Sequence, residues 1–302
     1  MNDPATAPLQ ATLDEHTLKI AALAAATTPP HPNLRRATQL GCIPNDPAVD
    51  NAPLLQNAID AGLALEIDGF YHTSPLRTKP GGANAIYGVS SAYRHSPACR
   101  TGFAPFASGQ THILEVTGDA TAGAGLCQRI ADLYFAGSAT CDGIRVSGGD
   151  TVAIERCSFR GCKDAIDITP TIRLYSLAVR SCFMSTNDIG IRLTNGSSVC
   201  CFIADSCSIN GGRIGVSVNW WQRGAVFTGV LCEGQTEVCF DVREARASLI
   251  GCYGESTGEI PALNLKQSHI VIIDSHFRRY KHDGLSQITA IGDNVLSGTL
   301  AY

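Results

Sequence analysis

Four cysteines, Cys157, Cys182, Cys207 and Cys232, stand 25 residues apart. Around the first three the sequence reads IERCSF, VRSCFM and ADSCSI. Cys252 in LIGCYG and His276 in IDSHFR continue the series at looser spacing. RIADLYFAG at 129–137 matches AIERCSFRG at 153–161, with Leu133 in the cysteine slot. A second apolar strand follows: AIDI at 165–168, GIRL at 190–193 and GVSV at 215–218, preceded by GIRV at 143–146 and followed by FDV at 240–242 and ALNL at 262–265. Ile144, Ile166, Ile191 and Val216 point one way in these strands, and Arg145, Asp167, Arg192 and Ser217 the other. Turn residues separate them: SGG at 147–149, TNGS at 194–197 and NGG at 210–212. A unit of roughly 20–25 residues cannot bury its own apolar face, whereas a stack of such units can. The expectation is an all-β chain, a right-handed single-stranded parallel β-helix. Each strand pairs with its equivalent about 4.8 Å away on the next rung.

Composition agrees with many turns and short strands: Gly is 30 of 302 residues and only 17% of residues are charged. The net charge of −4, with no basic run, argues against a nucleic-acid partner. No apolar stretch is long enough to cross a membrane. The opening residues, MNDPATAPLQATLDEH, lack the basic and apolar regions of a secretory leader. Thirteen cysteines is an odd number, and a 25-residue spacing makes a line of thiols, not the tetrahedron of a metal site. The cysteines read as a reduced core stack, in which a serine at Cys182 lacks a partner and costs a few kcal/mol. Cys200 and Cys201 are expected to split, one in and one out. No metal and no cofactor is expected.

Residues 1–45 read as an N-terminal anchor or neck, with Leu9, Leu13, Ile20 and Leu23 at helical spacing before TTPPHP. Residues 46–302 read as the β-helix, opened by a capping helix over 46–62. Leu54, Leu55, Ala58 and Ile59 make its apolar face and Gly62 its stop. Residues 80–126 read as an irregular overhanging loop in which NAIYGV and HILEV are early rung strands.

The segment NAPLLQNAIDAG, followed by a strand and a Gly turn, together with the Ile-x-x-Cys-x-Phe rung, resembles the pectate-lyase-like β-helix superfamily over about 45–290. Within it the chain is most similar to phage tailspike proteins. A departure is EIDGFYH, which stands where the family has a proline-bearing strand. The resemblance implies that sugar chains lie along the outward face of the second strand, where this sequence has Arg145, Asp167, Arg192, Ser217, Asp241 and Asn264.

Glycoside hydrolysis needs two carboxylates about 5–5.5 Å apart for retention or 6.5–9.5 Å for inversion, which stacked rungs supply. The candidate catalytic residues are Asp167 and Asp241, with Asp164 and Asp188 beside them, and a second pair, Glu233 and Glu255, with Glu237 and Arg278 nearby. Arg145 and Arg192 are the candidate substrate-binding cations; Arg192 could also serve as the base of a lyase. The sequence displays no dense Asp cluster of the kind Ca²⁺ favours. Trp220 and Trp221 are the only tryptophans, one expected inward and one outward to stack on sugar; Tyr71, His72, Tyr93, Arg94 and His95 are candidates for an overhanging loop.

The expected function is a phage tailspike or receptor-binding protein that binds, and where the chemistry is present depolymerises, bacterial surface polysaccharide. The expected form is a homotrimer on the virion tail, joined to other tail proteins through the N-terminal segment. The alternatives are a secreted polysaccharide lyase, hydrolase or epimerase, and a non-catalytic β-helix adhesin or structural spike. Whether the chain is an enzyme stays open at this point.

Overall fold

Each rung begins with a long strand, and successive long strands pair in parallel. Ile154 of Gly149–Glu155 lies beside Val179 of Leu174–Arg180, and Val179 beside Ala204 of Val199–Asp205. The computed structural model describes residues 33–80, 82, 84–89, 101–118, 127–172, 174–196, 199–221, 223–256 and 259–300. The expected anchor helix, Tyr93, Arg94, His95 and the side chain of Cys200 lie outside the described residues.

From the strand Cys127–Ala131 onward, one residue at the end of each long strand takes a left-handed backbone. Asp132, Arg156, Ser181, Ser206, Gly229, Gly251 and Asp274 have φ between 46° and 60°. The corner does not break the ladder, because the N–H of the left-handed residue still donates to a carbonyl one rung on. Arg156 N–H donates to Arg180 O, Ser181 to Asp205 O and Ser206 to Thr228 O, each at 2.9 Å. The following residue turns into the core, and this is the cysteine slot. A short strand comes next (Ser158–Arg160, Phe183–Ser185, Ser208–Asn210), then the second apolar strand of the repeat: Asp142–Val146, Asp164–Ile168, Ile189–Thr194, Ile214–Asn219, Val238–Arg243 and Leu263–Lys266. The chain is thus a parallel β-helix, as its repeat implies. NAIYGV and HILEV contain the expected strands Ala85–Gly88 and His112–Val116, and the presumed loop holds a further one, Gly102–Pro105.

The cysteine column differs from the spacing in one respect. Register runs Leu133, Cys157, Cys182, Cys207, Val230, Cys252, Ser275. Cys232 belongs to the neighbouring column, beside Ile209 and Gly254, and His276 lies one place past the slot. The cause is a shorter rung: Val179 pairs 25 residues on with Ala204, but Ala204 pairs 23 on with Phe227. The fourth 25-residue interval is therefore a coincidence, although Cys232 is fully buried like the others.

The core is a stack of rings and branched chains. Phe135 and Phe159 lie face to face with centroids 5.0 Å apart. Phe202 sits beside Ala225 and Ala204 beside Phe227, so large and small residues exchange places between rungs and the filled volume is kept. At the first rungs the capping helix α1 spans Ala52–Asp60, shorter than 46–62. Asp46 and Asp50 accept hydrogen bonds from the backbone N–H groups of Ala48 and Ala52, which holds 46–51 in turns and not in helix. Its buried face is Ala52, Leu55, Ala58 and Ile59; Leu54 is 41% exposed, contrary to its expected place. Gly62 ends the segment at φ 74°.

Ser275 shows what a hydroxyl does in the cysteine slot. Its Oγ lies 2.9 Å from Ile273 O and 3.1 Å from Leu249 O. The equivalent carbonyls around Cys182 are Arg180 O and Ile154 O, at 3.4 and 3.7 Å from Sγ. Cys182→Ser is accordingly expected to cost about 1 kcal/mol in urea unfolding, not the larger penalty of an unpaired buried hydroxyl. A loss above about 3 kcal/mol would show that the slot leaves the hydroxyl unsatisfied.

Candidate functional site: a charged column on the outward face

The outward residues of the second strands form one continuous column. Register places Arg77, Glu115, Arg145, Asp167, Arg192, Ser217, Asp241, Asn264 and Lys281 side by side on successive rungs. Signs alternate at its upper end because stacked strands bring side chains within about 5 Å of each other, where like charges repel. Arg77 Nη2 lies 2.8 Å from Glu115 Oε2, and Ser147 Oγ donates to Glu115 Oε1 at 2.9 Å. These partners hold the Glu115 carboxyl below its usual range, against the opposing effect of burial, the largest single influence.

A second tier of carboxylates sits beside this column, at the first residue of two adjacent second strands. Asp142 and Asp164 are 0% and 1% exposed in their side chains. Together with Asp167 they place one oxygen each within 4.8 Å of one another. Basic groups close over them. Arg145 Nη2 donates to Asp142 Oδ2 at 2.7 Å, and its Nε is 3.5 Å from Asp167 Oδ2. Arg192 sets Nη2 3.0 Å from Asp164 Oδ1 and Nε 2.9 Å from Oδ2. Lys163 Nζ is 3.9 Å from both Asp142 and Asp164. Thr169 donates to Asp167 at 2.8 Å. Asp142 Oδ1 has no hydrogen-bond partner among the described residues. Burial is the main reason the Asp164 carboxyl is raised to about 6; the Arg192 guanidinium opposes the shift and the neighbouring carboxylates add to it. Burial and the Arg145 charge push the His112 ring, on the rung before Asp142, below its usual value.

The sequence expectation that no Asp cluster exists is thereby corrected. Asp142 escaped notice because the acidic position is shared only by Asp164; the next rungs carry Ile189, Ile214 and Val238 there, a small apolar patch outside the main core. Arg145, Arg192 and Lys163 already supply positive charge to the three carboxylates, so the arrangement is first of all an ion network with one proton poised near neutrality.

The other expected residues are placed differently. Asp167 and Asp241 are three rungs apart, on the order of 14 Å, which is beyond either glycosidase separation. Asp241 is bound by Arg243 at 2.9 Å and by Asn264 Nδ2 at 2.7 Å. Asp188 and Glu237 pair with Arg213 at 2.9 and 2.7 Å; the Arg213 hydrogen bonds hold the Asp188 carboxyl below its usual range, with smaller help from Arg192 and Lys163, the same cations that close over the cluster. Glu233 and Glu255 are neighbours in register, and Arg278 Nη1 lies 3.0 Å from Glu255. Hydrogen bonds from Tyr253 and Arg278 keep Glu255 below the usual carboxylate range, which suits a base or nucleophile and not an acid at neutral pH. The tryptophans split as expected. Trp220 is 60% exposed at the turn three residues past Ser217; Trp221 is fully buried, edge-on to Phe202, with Nε1–H donating to Gly224 O at 3.2 Å. Tyr71 is buried and donates to Asp68, so it lines no surface, whereas His72 stacks edge-on with Phe70.

The raised carboxyl has a sign that stability measurements read. Between the ordinary aspartate value of 3.8 and about 6 the folded chain holds a proton on Asp164 that the unfolded chain has lost. This contribution is fully present below pH 4 and disappears as pH rises to 6, an effect on the order of 3 kcal/mol at most. Asp164→Asn is expected to remove that component: the difference in melting temperature between variant and parent should shift in the variant's favour from pH 4 to pH 6.5. A difference that stays flat over this range would place the proton elsewhere.

No protein-family model matches the sequence, and no curated protein matches it. Solved structures share its fold. The gp42 tailspike of Acinetobacter phage vb_AbaP_AS12 aligns over 90% of this chain and 63% of its own, with TM-score 0.53 and 11% identity. The enzymatically active domain of tailspike protein 2 from bacteriophage CBA120 aligns over 89% and 43%, with TM-score 0.50 and 12% identity. Full-length tailspike protein 2 from Escherichia coli O157:H7 bacteriophage CAB120 aligns over 88% and 42%, with TM-score 0.53 and 13% identity. The chain thus spans between two fifths and two thirds of the tailspikes it is similar to, and what it shares with them is the parallel β-helix.

Proposed function

We propose that the chain is a tailspike-type receptor-binding protein that binds bacterial surface polysaccharide along the charged column and cleaves it at the Asp142–Asp164–Asp167 cluster. The observation that carries this reading is the buried carboxyl of Asp164, raised to about 6 and set with Asp142 and Asp167 so that one oxygen of each lies within 4.8 Å of the others. A carboxylic acid that is protonated in part near neutrality is a competent general acid. The spacing within the cluster is nearer the retaining than the inverting separation. In the proposed reaction Asp167 attacks the anomeric carbon, the glycosidic C–O bond breaks, and the Asp164 proton passes to the leaving oxygen. Water then hydrolyses the glycosyl ester and returns a proton to Asp164. Arg192, a third exposed, covers Asp164 in the free protein; its guanidinium swings to an acidic or hydroxyl group of the substrate and uncovers the acid. Trp220 supplies an exposed ring for stacking.

Incubation with host capsule or lipopolysaccharide should release new reducing ends without unsaturated uronates. Asp164→Asn should abolish release while glycan binding persists, and Arg192→Ala should weaken binding about tenfold. Unsaturated products would replace hydrolysis with elimination; cleavage undiminished in both variants would place the chemistry elsewhere.

The same reading makes the protein a homotrimer on the virion tail, attached to other tail proteins by its N-terminal segment. Leu285, Ile291 and Val295 on the last described rungs are 69%, 53% and 44% exposed, apolar surface that a neighbouring copy would cover. Light scattering should report about three times 31.9 kDa. A monomer at micromolar concentration would remove this part of the proposal.

A further inference from the structure

The face built by the long strands carries a groove with a volume of about 440 Å³, on a different ladder from the aspartate cluster. Its origin is the shortened rung. The strands Gly149–Glu155, Leu174–Arg180 and Val199–Asp205 are seven residues long, and the next, Ala225–Thr228, is four. Trp221 turns inward against Phe202, and Gly224 takes the surface position beside Cys201 and Arg246. A Cβ at Gly224 would meet nothing within 4 Å, so the floor of the groove is a missing side chain. His269 stands one rung beyond Arg246, Arg223 is on the rim, and Val226 and Val271 supply apolar floor.

Charge distinguishes this groove from the rest of the surface. Eleven arginines among the described residues lie within 4.0 Å of a carboxylate. Among the described residues Arg160, Arg223 and Arg246 have no such partner; Arg223 and Arg246 face one groove, which no described Asp or Glu lines. On a chain whose net charge is −4, two uncompensated guanidiniums and an imidazole facing one concavity form a local anion trap. Guanidinium geometry matches the planar carboxylate and the phosphate, and the two valines offer a surface for the carbon face of a sugar ring.

We propose that this groove is a second carbohydrate-binding site, which holds an anionic sugar by its carboxylate or phosphate through Arg223, Arg246 and His269. The proposal rests on the polysaccharide reading for the kind of ligand, but not on cleavage or on the aspartate cluster. It gives the chain a hold on acidic glycan at a distance from the charged column, so that one chain can stay bound while the other site releases product.

Isothermal titration of the intact chain with oligogalacturonate, inorganic phosphate and neutral maltohexaose tests it. Oligogalacturonate should bind, maltohexaose should not, and Arg223→Ala and Arg246→Ala should each weaken binding about tenfold. Arg246→Glu should abolish the component of the titration that belongs to this groove, and Arg36→Ala, at the far end of the same ladder and paired with Glu66, should leave it unchanged. Binding of phosphate without oligogalacturonate, lost in the same variants, would keep the site and assign a phosphate-bearing glycan as its source. Arg223 and Arg246 are exposed, and circular dichroism should show each variant folded. Absence of binding by either anion, equal affinity for maltohexaose, or unchanged affinity in Arg246→Glu would overturn the proposal. Failure of Asp164→Asn to affect cleavage would count against the catalytic reading alone.

Discussion

One left-handed residue at the end of each long strand from Cys127–Ala131 onward holds the rest of this structure in place. At Asp132, Arg156, Ser181 and Ser206 the side chain makes that conformation unfavourable by about 1 kcal/mol or more, yet the backbone keeps its inter-rung hydrogen bond. Because the same corner recurs from Asp132 to Asp274, the residue after it enters the core on each of those rungs and every later position in the rung acquires a fixed facing. The core columns and the outward column are both consequences of that repetition. Without it the strands would run on as a flat parallel ladder with two exposed faces, and the apolar residues would have nothing to close around.

Fixed facing also decides where electrostatics is favourable and where it is not. Along the outward column, rungs stacked at strand spacing force neighbours into contact, and alternation of Arg with Asp or Glu turns that crowding into attraction. Exposed pairs of this kind contribute little individually. The exception is the second tier, where Asp142 and Asp164 occupy adjacent rungs with the same sign and almost no solvent. The fold tolerates this only by surrounding them with Arg145, Arg192 and Lys163 and by letting one carboxyl hold its proton. Such a local conflict between repeat and charge is where function is to be sought in a regular structure.

How much of this was legible in the sequence follows from the same physics. Period-two alternation identified the second strands and their outward members, since Ile166 and Asp167 on adjacent positions leave no other facing. The thiol column was legible through Cys207, then misread at Cys232, because a periodic spacing cannot reveal two residues missing from a turn while the letter recurs by chance. The corner at Arg156 gave no signal, as nothing about an arginine announces a left-handed backbone. Asp142 and the raised carboxyl of Asp164 were hidden for a different reason: they depend on contact between positions whose neighbours along the chain are unremarkable in type. Asp241 and Glu255 were reasonable as isolated carboxylates, and only register shows the first to be far from Asp167 and the second to be held ionised.

The loss of two residues between Val218 and Ala225 has a bearing on how such a chain changes over generations. Its effects are a tryptophan folded inward, a bare glycine and a step in one ladder, while Ser217 and Asp241 on the adjoining face keep their register. Contacts in a solenoid reach only the neighbouring rung, so a small deletion in one turn is absorbed within a few ångströms. Separate faces of the same molecule can therefore accumulate insertions and deletions on independent schedules, one being reshaped for a new surface while the other is preserved.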